Sequence, residues 1–186
     1  MPVPGESKRA SYPDMREASA SLWRQWLELY QDRFDAFYYN VRVGAGTRPR
    51  DDTRGDMRRD WWATTSLRID VVAQRSGETW CIEVAERPTT KMLGSLQLYA
   101  HLLPQYQGPN PPKLDVIRDR CAEDFLIPTP IQARVVAALI CRFLGADMRA
   151  VVEQAGILVF QFPGAGYPKL PPQFLPRTQS ALWVPP

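Results

Sequence analysis

The chain has 186 residues, 45% of them hydrophobic, and a formal net charge of +3, which excludes a disordered polymer and allows one domain with its own core plus extensions. Cys81, Cys121 and Cys141 are odd in number, widely spaced and sit in apolar stretches, so they read as core thiols of a reducing compartment, and His101 as the one histidine argues against a zinc site. No apolar run is long enough to span a membrane and no apolar signal segment opens the chain, so synthesis in a cytoplasm is expected.

Residues 1–13 are polar and hold three prolines, which predicts an arm. Asp14 followed by Glu17 has capping-box spacing. A helix is expected from there to about Asp32, with Leu22, Trp26, Leu29 and Tyr30 on one stripe, widened by Trp23 and Leu27. Asp35 to Val43 (DAFYYNVRV) alternates and is rich in aromatic and β-branched residues, the pattern of a strand. Gly44 and Gly46 end it as a turn, because no Lys-Ser or Lys-Thr pair follows to make a phosphate loop. Thr47 to Asp60 reads as a charged loop in which five arginines meet four aspartates. That balance fits a self-paired or partner-paired surface better than a DNA contact. Trp61 and Trp62 then lead into the next strand as core or interface anchors.

Ser66 to Leu103 reads as strand, tight turn, strand and helix. Arg68, Asp70 and Val72 alternate with Ile69 and Val71, so Asp70 is expected to face away from the apolar side of its strand. Ser76-Gly77 is a hairpin turn. On the second strand Cys81, Glu83 and Ala85 share one face, and Ile82 and Val84 the other. Two antiparallel neighbours therefore offer Asp70 and Glu83, a pair of carboxylates that would suit Mg²⁺ if they converge. Thr89 or Thr90 caps the following helix, which carries Met92, Leu96, Tyr99 and Leu103 at helical spacing and is expected to stop before Pro104. Gln97 and His101 lie one turn apart on it, and Lys91 sits in its first turn.

Beyond it, Pro104 to Pro112 is an extended connector, and Lys113 to Arg118 has the length of a short strand. Arg134 to Phe143 fits a buried strand, although its length also permits a helix. Asp147 to Gln154 is a short helix capped by Gly156, and Ile157 to Phe162 is a last strand. Pro163 to Pro186 holds seven prolines interleaved with Tyr167, Phe174, Leu182 and Trp183. The prolines prevent it from folding alone, and the aromatic residues mark it as an arm that docks on a partner.

The Asp70 strand, the Glu83 strand and the helix after them resemble the core of the PD-(D/E)XK nuclease superfamily. There an Asp on one strand and a Glu-x-Lys on the next hold a divalent metal, and a helix bearing Gln or Tyr follows. The resemblance puts Asp70 and Glu83 in the metal-binding positions, Gln97 and Tyr99 in the helix motif, and Ala85 where the lysine would stand. It covers about Asp35 to Phe162 and implies an α/β, restriction-endonuclease-like domain over 14–162, a mixed central sheet flanked by helices, with extended N- and C-terminal arms. Glu28 would be the extra acid that a first helix supplies in some relatives. Lys91, or Arg87, would replace the missing lysine if activity survives.

Three functions follow as expectations. The run from Trp26 through VRVGAG to Arg68-Ile69-Asp70 also looks like the small nuclease-fold proteins of tailed bacteriophages. That implies a structural virion protein of the head–tail connector or neck, made in the bacterial host cytoplasm, with other virion proteins and its own copies as partners. It would hold no cofactor and contact no membrane, and Tyr167, Phe174 and Trp183 would be partner contacts. The alternatives are a Mg²⁺-dependent DNA nuclease acting through Asp70, Glu83, Lys91 and Gln97, and a non-catalytic DNA-binding module.

Overall fold

The computed structural model describes residues 12, 15–47, 54–107, 127, 130–132 and 134–163, with the backbone alone at 55, 56, 58 and 59. The elements run α1 (Glu17–Tyr30), β1 (Ala36–Val43), α2 (Gly55–Thr65), β2 (Leu67–Arg75), β3 (Glu78–Ala85), α3 (Thr90–Tyr106), β4 (Arg134–Cys141), α4 (Ala146–Gln154) and β5 (Leu158–Gln161). They build an α/β fold around one five-stranded mixed sheet in the order β1-β2-β3-β4-β5. The pairs β1/β2 and β2/β3 are antiparallel, whereas β3/β4 and β4/β5 are parallel. Parallel neighbours need a crossover, which α3 and α4 provide.

Each face of the sheet carries its own core. On one side α1 lays Leu22, Trp23, Trp26, Leu27 and Tyr30 against Phe37, Val71, Trp80, Ile82, Val84 and Phe160. The rings interlock: Trp23 stacks on Trp26 with centroids 5.0 Å apart, and Phe34 meets Trp80 edge-on at 5.1 Å. On the other side Leu93, Leu96, Tyr99 and Leu103 of α3 and Val152 of α4 cover Tyr38, Val72, Cys81, Leu139 and Cys141. Burial pushes the Cys81 and Cys141 thiols up, as expected of inert core cysteines.

Several expectations change. Leu29 is 52% exposed, and Trp23 and Leu27 hold the centre of the α1 stripe in its place. Asp14 lies outside the described residues, and the helix is entered through Arg16 with no side-chain cap. The second half of the charged segment, with Trp61 and Trp62, is the helix α2 rather than loop. Long-range anchors hold it: Trp62 Nε1 donates to the Gly44 carbonyl at 3.0 Å and Trp61 Nε1 to the Thr47 carbonyl at 3.0 Å. Gly46 has a φ of +67°, and a Cβ there would sit 2.6 Å from Thr65 Oγ1, so the turn after β1 needs its glycine.

Helix α3 continues through Pro104 to Tyr106. A proline so near the end removes one helical bond, and tertiary contacts offset the loss. Leu103 is buried, Gln107 N–H donates to its carbonyl, and the Gln107 side chain donates to the Arg42 carbonyl at 2.7 Å. The expected strand Lys113–Arg118, Cys121 and nearly all of both arms, including Tyr167, Phe174 and Trp183, lie outside the described residues.

One buried charge fastens the β2–β3 hairpin end to β4. Glu78 accepts from Arg75 Nε at 2.6 Å, from Trp80 Nε1 at 2.9 Å and from Arg134 Nη1 at 2.7 Å. Burial alone would raise its pKa; the Trp80 and Arg75 hydrogen bonds and the two positive charges outweigh that and hold it below 4.5. A carboxyl depressed in the folded state stabilises fully above its unfolded pKa and loses that contribution as pH falls through the folded value. Glu78→Gln is expected to cost about 1–3 kcal/mol at neutral pH. Its denaturation midpoint should also fall less steeply on acidification than that of the wild type, which urea titrations at successive pH values would read.

Candidate functional site

The β2–β3 ladder runs from Arg75 opposite Glu78 to Val71 opposite Ile82. Its register, carried one step further, sets Asp70 opposite Glu83. At that row side chains replace the ladder. The Asp70 N–H donates to Glu83 Oε1 at 3.3 Å, and the Val84 N–H donates to Asp70 Oδ2 at 3.1 Å. Each acid thus accepts a backbone N–H from the opposite strand, and the carboxylates meet between β2 and β3.

Both belong to the α3 side of the sheet. Glu83 alternates with Ile82 and Val84, which face α1, so it shares the side of Cys81, as the sequence predicted. The alternation expected for β2 holds only in part. Val71 faces α1 and Val72 faces α3, but Ile69 joins the α3 side with Val72 instead of pairing with Val71. The strand changes face at Asp70. Asp70 itself is half-buried, flanked by the buried Ile69 and Val71, so it keeps partial access to solvent while turning toward β3.

Tyr99 is the helix residue brought to the pair. It is buried, and burial first, then the Glu83 and Asp70 charges, raise its phenol above 10.0 against a lowering hydrogen bond with Ser95. Glu83 itself is buried. Burial first and the Asp70 charge second push its carboxyl up to about 8, while Arg68 pulls the other way. Below that value Glu83 holds a proton, which lets two acids share one small space.

Gln97 is not brought to the site: it is exposed, because two residues along a helix turn it about 200° from Tyr99. His101 is likewise exposed and contacts Gln105 at 3.0 Å. Lys91 is exposed in the first turn of α3, on the four-residue stripe that continues through Ser95 to Tyr99. The Arg87 guanidinium sits 5.1 Å from the Phe143 ring centre, committed to the loop after β4. Glu28 is exposed on α1, the helix on the opposite side of the sheet. Ala85 is buried at the end of β3 on the face of Glu83, and its methyl offers the acids no positive charge. Sequence reasoning missed Asn40 as a member of the row and Arg68 as the cation that bears on Glu83; an asparagine in mid-strand, between the aromatic and β-branched residues of DAFYYNVRV, was the available signal.

The donor chemistry fits a hard divalent cation. Asp70 and Glu83 offer carboxylate oxygens from adjacent strands, and a cation there would relieve the repulsion that now protonates Glu83. Among the described residues no group of three or more His, Cys, Asp and Glu side chains gathers, so water and backbone carbonyls would complete its shell.

Compared with known proteins, the chain matches no family model, no curated protein and no solved structure.

The Glu83 shift has a definite sign in stability. Between the unfolded carboxylate range and about 8 the folded chain holds the extra proton, so stability falls as pH rises across that window. Glu83→Gln removes the repulsion and keeps an oxygen for the Asp70 N–H. Its melting temperature should decline less from pH 5 to pH 8 and exceed that of the wild type at pH 8, by about 2–4 °C for each kcal/mol relieved. Parallel melting curves for the two proteins across that range would assign the titration elsewhere.

Proposed function

We propose that this chain is a structural component of a tailed-bacteriophage particle, in the head–tail connector or neck, built on a nuclease-type core that no longer cleaves. The observation that carries the loss of cleavage is Ala85. A buried methyl ends β3 where the chemistry needs a cation beside the two acids, and losing one positioned charged group typically costs about 10²–10³ in rate. The pair is instead occupied in the sheet, each carboxylate accepting an N–H from the opposite strand. The element order also fits the nuclease-type core, with a helix before three antiparallel strands, then a helix and a parallel strand. The α2 insertion between β1 and β2 is compatible with it. The setting in a particle rests on the likeness to phage proteins and on the proline-rich, aromatic C-terminal segment. Removal of 163–186 should abolish incorporation into particles, whereas Asp70→Ala should leave incorporation unchanged. Normal particles built with the truncated chain would overturn the reading.

A second reading, a Mg²⁺-dependent DNA nuclease, is favoured by the convergence of Asp70 and Glu83 beneath Tyr99. A divalent cation held by the two acids would supply charge neutralisation and an acidified water. Lys91, on the Tyr99 stripe of α3, would offer the positive charge that Ala85 lacks. Incubation of supercoiled DNA with Mg²⁺ or Mn²⁺ separates the two readings. The wild type should leave the DNA intact. Ala85→Lys should gain cleavage that a further Asp70→Ala change removes. Cutting by the wild type that Asp70→Ala abolishes would establish the nuclease in its place.

A further inference from the structure

We propose that Asn40 is a positioning residue for the acid pair: its left-handed backbone turns β1, and through the ladder β2, so that the Asp70 carboxylate is delivered to β3. The β1–β2 register sets Tyr39 opposite Val71 and Val41 opposite Ile69, which places Asn40 opposite Asp70. Asn40, Asp70 and Glu83 therefore form one row across three strands.

Asn40 has a φ of +54°, and among the described residues it is the only non-glycine residue with a positive φ. Asparagine tolerates that region better than other residues with a side chain, whereas β-branched residues are strongly disfavoured there. A run of aromatic and β-branched residues has no local reason to place it in mid-strand. The exchange of faces supplies one. Phe37 and Tyr39 face α1, but Val41 and Val43 face α3. In β2 the same exchange separates Val71, toward α1, from Ile69, toward α3. Both strands therefore turn at the one row, and the count of residues stays matched. In β3 the alternation passes through the row unbroken, from Ile82 through Glu83 to Val84.

The turn has two consequences at once. Val41, Val43 and Ile69 become a floor for the second half of α3, which holds Tyr99 over the pair. The β2–β3 ladder gives way to side-chain bonds at the same row, with Asp70 Oδ2 taking the Val84 N–H. The proposal is independent of whether the pair fastens the sheet or binds a cation, since it concerns only how the pair is brought together.

Amide hydrogen exchange on the full chain tests it, because the Val84 and Asp70 amides report the pair while other β3 amides report the fold. Asn40→Gly, which accepts positive φ, should keep the protection of both amides relative to Ile82 and Trp80. Asn40→Val, which resists it, should lose at least tenfold at Val84 and Asp70 relative to those two, and the strong intraresidue HN–Hα contact that marks positive φ should vanish at position 40. If the valine variant does not fold, Asn40→Ala takes its place, with the same selective loss expected. A uniform fall in protection across β3 would reduce Asn40 to a stability residue and overturn the proposal. So would selective loss in the glycine variant, which would make the side chain rather than the backbone the active part.

Discussion

Two carboxylates held between neighbouring strands repel each other, and the surroundings of the pair are arranged around that repulsion. Asp70 and Glu83 stay together because each accepts an N–H from the other's strand, because Arg68 lies near, and because Glu83 keeps a proton well above the ordinary carboxylate range. Remove the proton without replacing its charge, and the row becomes a source of strain in the middle of a buried sheet. A divalent cation and a proton are alternative solutions to the same electrostatic problem. The proton alone thus lets both acids stay at the row.

The two sides of the sheet divide the work. The α1 side is an aromatic block in which Trp23, Trp26, Phe37, Trp80 and Phe160 meet at ring-contact distances. Phe160 extends that block to the edge strand β5, and Glu78 fastens the hairpin end to β4. Such a block fixes strand positions and admits charge only at its rim, where Glu78 and Arg75 meet Trp80. The α3 side is built from smaller aliphatic residues with Tyr99 among them, and it is there that the acids sit. The rigid side sets the register on which the polar side depends, so a change in the Trp26 cluster would act on the acids only through the strands.

Much of this was legible in the sequence. Alternation marked β1 and β2, the Ser76-Gly77 turn marked the hairpin, and the hairpin offered Asp70 and Glu83 on neighbouring strands, while β4 read as an apolar run that a helix could also explain. What stayed hidden had tertiary causes. Helix α2 looked like loop because its charges mask any apolar period, and it is Trp62 and Gly44, far apart in sequence, that hold it. Pro104 looked like a stop signal because the bonds of Gln107 to distant chain are invisible locally. Gln97 looked like the site residue of the helix, yet the stripe of Met92, Leu96, Tyr99 and Leu103 already carried the phase that turns Tyr99 inward and leaves Gln97 exposed. The change of face at Asn40 was beyond reach, because alternation rules assume that a strand does not change sides.

The row of Asn40, Asp70 and Glu83 is drawn from β1, β2 and β3, which are joined in an antiparallel meander, whereas β4 enters only after the chain has left β3, formed α3 and returned. Pairings close in sequence have the lower closure entropy and form sooner on average than those that shut a long loop. Folding order and site assembly are expected to coincide, with the acids brought face to face before the parallel half of the sheet is in place. Doubling the length of the segment between α3 and β4 would add only about 0.6 kcal/mol of closure cost. Length is therefore cheap to change in that stretch, whereas composition is constrained at its anchors, where the Ile127 N–H donates to Gln107, the Pro130 carbonyl accepts from Gln74 and the Gln132 N–H donates to Thr79.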